Sequence, residues 1–192
     1  MKTRNILLAA ALALPLAGCF GGAKAPAQLL TLTPAAVRPV SEVRTGTQGH
    51  IITVTAPTVP HEIGNNRVAV YVGPTSVQYL KEGQWADKPS ELFRHVLSET
   101  MAARSGWVVV DPSVYTQVQG VVLGGQLLQF GYDPARGEAV VRFEANLTRP
   151  QQTVTTNRFE ARVPAAAEST AVAQALNQAS NQVATQVADW VG

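Results

Sequence analysis

The sequence predicts a two-layer α+β domain, a mixed and mostly antiparallel sheet with two main helices packed on one face. Three observations carry that expectation. Several stretches alternate apolar and polar residues with period two, as strands with one wet face do. Two other stretches repeat their apolar residues at helical spacing. Strands come first, then a helix, then strands and a terminal helix, an order that suits two helices over one sheet.

The strands can be taken in order. In Arg67-Val68-Ala69-Val70-Tyr71-Val72 the three valines share one face. Val121–Phe130 and Ala139–Thr148 flank Gly131–Gly137, whose Asp133-Pro134 marks a hairpin turn. Val141–Leu147 alternates cleanly, and Arg158–Val163 does so again. Gly124-Gly125, inside a strand, predicts a bulge or a close backbone approach. These glycines are not a phosphate loop, since no Lys-Ser/Thr pair and no helix follow them.

The first helix starts near Asp87-Lys88-Pro89, with Asp87 as cap and Pro89 in the first turn. Leu92, Phe93, Val96, Leu97, Thr100 and Met101 form its stripe, and Ser105-Gly106 ends it. Trp107–Val110 reads as a short buried strand, stopped by Asp111-Pro112. The second helix runs from about Ser169 to Trp190, with Val172, Leu176, Ala179, Val183, Val187 and Trp190 on one side. Its other side holds Gln174, Asn177, Gln178, Asn181, Gln182 and Gln186, polar yet almost uncharged. That face is either solvated or a contact surface for another subunit, a second copy included.

The N-terminus has a different character. Met1–Asn5 is short and basic, Ile6–Leu16 is mostly apolar, and Ala17-Gly18 is a small-residue exit. This is the pattern of a secretory signal peptide over residues 1–18. Its apolar run is shorter than the about 20 residues that a membrane-crossing helix needs. Leu16-Ala17-Gly18-Cys19 resembles the bacterial lipobox, and Cys19 is the chain's one cysteine. The resemblance implies a lipid on the Cys19 thiol and cleavage just before it. Phe20 in place of Asp implies the outer membrane's periplasmic leaflet. Residues 19–28 then form a lipidated tether, rich in Gly and Ala, and residues 29–192 one domain.

Charge and motifs narrow the function. The chain of 192 residues has 15 basic and 13 acidic side chains. Loss of Lys2 and Arg4 with the leader makes those numbers equal. A neutral domain of low aromatic content has no field to draw nucleic acid and few rings to stack on it. Gly-x-Ser-x-Gly and His-Glu-x-x-His are absent. His50, His61 and His95 lack metal-ligand spacing and read as surface or packing residues. Nothing assembles a nucleophile, a base and an orienting group, so a non-enzymatic role is expected. Trp85, in the polar stretch Lys81–Asp87, is either a lid on the core or an exposed anchor for a partner.

Leu29-Leu30-Thr31-Leu32-Thr33-Pro34, a strand leading to Pro57 and Pro60, and Arg67–Tyr71 follow one another along the chain. Trp85-Ala86-Asp87 precedes a Leu-rich helix, and Arg158-Phe159 lies on the last strand before an Ala/Gln-rich terminal helix. With the lipobox, this series resembles the ABC-type transport auxiliary lipoproteins, the PqiC-like family. Here Gln84 stands where many members of that family carry Arg or Tyr before the Trp. The resemblance implies a non-catalytic subunit of an envelope transporter, with no cofactor beyond the covalent lipid. It further implies an MCE-type periplasmic protein as partner and lipids or other hydrophobic molecules as cargo. Trp85, Gln84, Gln178 and Gln182 are the candidate partner-binding residues. A free-standing envelope carrier or structural lipoprotein is the alternative.

Overall fold

The computed structural model describes residues 28–113, 120–150 and 153–192. Among them, eight strands form a single mixed sheet. In chain order these are β1 (Leu29–Leu30), β2 (Ile51–Val54), β3 (Arg67–Gly73), β4 (Ser76–Trp85), β5 (Val108–Val110), β6 (Val121–Asp133), β7 (Glu138–Thr148) and β8 (Val154–Pro164). The helices are α1 (Pro89–Arg104), between β4 and β5, and α2 (Ser169–Val191), after β8. The two-layer α+β expectation holds.

Strand β6 is the spine of the sheet. One edge pairs antiparallel with β7, which pairs in turn with β8. The opposite edge is shared end to end by two strands. Parallel β2 lies beside its start (Ile52↔Val121), and parallel β3 lies beside its end (Ala69↔Gly131). Strand β4 extends the second branch antiparallel to β3, and β5 extends the first. The sheet therefore forks along one side.

Glycine permits the spine. Gly125 has φ +143°, and a Cβ there would overlap the Glu144 carbonyl oxygen of β7. This is the close backbone approach that the Gly124-Gly125 pair predicts. A register shift between Leu127 and Gln129 then changes which side chains point inward. Before it, Val121, Leu123 and Leu127 are buried; after it, Phe130 and Tyr132 are.

Period two decides the core. On β7, Ala139, Val141, Phe143, Ala145 and Leu147 are buried, opposite Phe159, Ala161 and Val163 of β8. Phe93 of α1 meets Phe143 with ring centroids 5.1 Å apart. Trp190 of α2 meets Phe159 at 5.7 Å. Every member of the α2 stripe except Trp190, which is half-buried, lies fully inside. The alternate positions of β7 and β8 carry charges in a ladder. Arg158 pairs with Glu144 at 2.5 Å, and both Arg142 and Arg162 pair with Glu160. Burial alone would raise the Glu160 pKa, but the hydrogen bonds from Arg142 and Arg162 outweigh it and hold the carboxyl below its usual range.

Local details differ from expectation at two places. Pro89 takes the first position of α1, so Lys88 is the N-cap residue. Asp87 sits one residue outside and accepts the Lys88 N–H at 2.6 Å. Strand β5 is half-buried, because it lies at the sheet edge with β2 as its one strand partner.

Tyr71 supplies a pH-dependent contact. Its hydroxyl oxygen accepts the Phe130 N–H at 3.1 Å. Burial pushes its pKa up from 10.0 to about 12, against the lowering effect of that hydrogen bond. The folded state thus favours the neutral phenol. Its contribution to stability is complete below pH 10 and is lost as the pH rises toward 12. Tyr71→Phe should cost ~1 kcal/mol at neutral pH through the orphaned amide and flatten the alkaline loss. Urea unfolding at pH 7 through 11.5 measures both effects.

Candidate docking surface

The N-terminal end of the described chain enters at the tip of β4. Leu29 pairs with Gln84 and Leu30 with Trp85, and the Ala86 N–H donates to the Leu30 carbonyl at 2.8 Å. Leu32 then turns into the core. Beyond it the chain leaves the sheet, so its amides need other acceptors. Two α2 asparagines supply them. The Thr33 N–H donates to Asn177 Oδ1 at 2.7 Å, and the Ala35 N–H donates to Asn181 Oδ1 at 2.7 Å. Asn181 Nδ2 returns a bond to the Thr33 carbonyl at 3.0 Å. The segment from Thr33 is a strap laid against α2 and leading on to α1.

This contact divides the polar side of α2. Asn177 and Asn181 are half-buried beneath the strap. Gln174, Gln178, Gln182 and Gln186 are exposed, four residues apart, and form one row along the helix. Among the described residues none of these four makes a side-chain hydrogen bond. The row holds Gln178 and Gln182, two of the candidate partner residues. An amide-rich row of this kind offers donors and acceptors without charge.

The Gln84-Trp85 pair is split between surface and core. Gln84 is exposed beside Leu29. Trp85 is 1% exposed, and its ring lies 5.4 Å from that of Phe130. Asn66 brackets the Trp85 backbone, accepting its N–H at 2.8 Å and donating to its carbonyl at 3.2 Å. Of the two readings of Trp85, the structure places it as a lid on the core. It fixes the entry of β1 and the start of α1 from beneath. Cys19 lies outside the described residues.

Pattern reading missed the asparagine clasp. Asn177 and Asn181 were visible as polar positions on α2, but nothing local names Thr33 and Ala35 as their partners. Asn181→Ala removes one acceptor and one donor from the strap. Hydrogen exchange at Ala35 should quicken about tenfold or more, the scale of one or two net hydrogen bonds, while the β7 amides keep their protection.

Further along, the strap crosses α1 and covers a half-open cleft of about 340 Å³. Arg38, Arg94, His95, Glu99 and Asp111 are among its walls, so the cleft is polar and charged. Arg94 is held by Glu91 at 3.0 Å and Asp111 at 3.3 Å. Val37, Val40 and Val43 stand exposed along the same strap. Among the described residues no helix is long and apolar enough to cross a membrane, and no three His, Cys, Asp or Glu side chains cluster as a metal site would.

Comparison with known proteins identifies the architecture. The ABC-type transport auxiliary lipoprotein component family matches residues 30–188. The chain belongs to that family. This auxiliary lipoprotein shares its fold with protein XCC0632 from Xanthomonas campestris, of the DUF330 family. The two are 21% identical over 86% of this chain and 92% of that one, with a TM-score of 0.66. An uncharacterized protein of known crystal structure is similar at 15% identity and TM-score 0.67, over 86% of this chain and 100% of that one. The PelC dodecamer subunit from Paraburkholderia phytofirmans is 13% identical over 76% of this chain and 93% of that one. Its TM-score of 0.42 is too low to bear on assembly. No curated protein sequence matches.

Proposed function

We propose that this auxiliary lipoprotein is the lipid-anchored, non-catalytic subunit of an MCE-type envelope transporter. It is tethered through Cys19 to the outer membrane's periplasmic face and docks the periplasmic MCE protein for lipid transport. The observation that carries the reading is the family match across residues 30–188. The lipobox-like Leu16–Cys19 supports the anchor, and Phe20 supports the outer membrane. Large side chains such as Phe93, Leu97, Met101 and Phe143 fill the space between helices and sheet. That filled interior favours docking over carrying cargo inside the domain. The docking residues are Gln84, Gln178 and Gln182, with Trp85 shaping the surface from below.

Purification of the tagged full chain from detergent-solubilised envelopes tests this reading. The MCE protein should co-purify with it. Gln178→Lys with Gln182→Lys should weaken the association by about tenfold or more, the scale of an interface hot spot. Failure of the folded chain to retain any MCE protein overturns the reading.

A further inference from the structure

The cleft beneath the strap carries unused chemistry. Arg94 is already paired with Glu91 through Nε and with Asp111 through Nη1. Arg38 on the strap and Glu99 on α1 line the same cleft, yet neither joins an ion pair among the described residues. Two opposite charges that face one cavity without closing on each other leave room for a ligand between them. His95 and Ser98 line the wall beside Glu99 and offer further polar groups. Val40 is fully exposed at the cleft, and Val43 is 90% exposed three residues on.

We infer that this cleft binds the headgroup of a zwitterionic phospholipid. The ligand's phosphate meets the Arg38 guanidinium, with Ser98 and His95 as added donors. Its ammonium group meets the Glu99 carboxylate. A purely anionic ligand would leave Glu99 unmatched, and a purely cationic one would leave Arg38 unmatched. A phosphate and an amine joined by a short linker satisfy both. The exposed valines beside the cleft then lie where the glycerol and the first acyl carbons emerge, which favours a lipid over a free headgroup. The site is distinct from the glutamine row and does not depend on the MCE partner.

The test uses the full mature chain carrying Cys19→Ala, so that no covalent lipid competes. Dihexanoyl-phosphatidylethanolamine, kept below its micelle concentration, is titrated while amide and imidazole NMR signals are followed. Saturable shifts should appear at His95, Ser98 and Val110. Arg38→Ala and Glu99→Gln should each weaken binding about tenfold, as for loss of one charge-assisted hydrogen bond. Both are surface changes, and unmoved core resonances report the fold. Dihexanoyl-phosphatidylglycerol, which has no amine, should bind more weakly and be indifferent to Glu99→Gln. Free phosphoethanolamine should bind more weakly than the diacyl form. Equal binding of a nonionic detergent, equal binding of free phosphoethanolamine, or affinities untouched by both variants overturns the inference. Each of these results can arise whether or not the MCE protein co-purifies.

Discussion

Trp85→Ala should destabilise the domain by about 3–5 kcal/mol, the range for emptying a buried aromatic site. The indole is 1% exposed, meets the Phe130 ring at a tilted angle, and sits where β1 joins β4 just before α1. Its loss opens a cavity against the core and loosens the entry of the N-terminal strand. Trp85→Phe is the informative companion. The indole N–H is buried and has no hydrogen-bond partner among the described residues. Phenylalanine loses volume but also removes that unsatisfied donor, so it should cost under ~1.5 kcal/mol. Urea denaturation of the three chains gives the comparison. A Phe variant as damaged as the Ala variant would show that the N–H matters more than the packing.

Cys19→Ala should move the protein from the membrane fraction to the soluble periplasm without changing the unfolding transition. Each buried acyl CH₂ contributes about 0.8 kcal/mol to membrane attachment, so losing several chains is decisive. The anchor point also limits geometry. With Cys19 anchored as proposed, residues 19–28 span at most ~35 Å when extended, which would keep the β1 end of the domain within that distance of the bilayer. Fractionation of host cells and mass spectrometry of the N-terminal peptide check both parts. An unmodified thiol at Cys19 in the native host would remove the anchor from the proposed function.

Much of the fold was legible because burial imposes a period. Strands β7 and β8 bury alternate residues from Val141 to Leu147 and from Phe159 to Val163, and the sequence alternates in step. Helix α2 buries one side, and its stripe runs from Val172 to Val187. Strand β4 was harder. Its residues from Ser76 to Gln84 are exposed or half-buried along an outer branch of the sheet, so no alternation is enforced and the stretch from Lys81 reads as a polar link. The fork along β6 was not legible either, since parallel pairing of β2 and β3 with the two ends of one strand leaves no local mark. Site legibility followed the same rule. Gln178 and Gln182 were visible as one polar face of a helix, whereas the clasp at Asn177 and Asn181 depends on residues far away in the chain. Trp85 was ambiguous because its neighbours are polar, and its burial follows from a strand pairing that spacing does not show.

The clasp has a consequence for biogenesis. Thr33 and Ala35 reach partners 144 and 146 residues further along the polypeptide. A chain threaded N-terminus first through a secretion channel cannot fasten that catch until its last turns have emerged. Until then the Thr33 and Ala35 amides lack their α2 acceptors. A product that stops short of Asn177 lacks both acceptors, and its strap cannot close on α2.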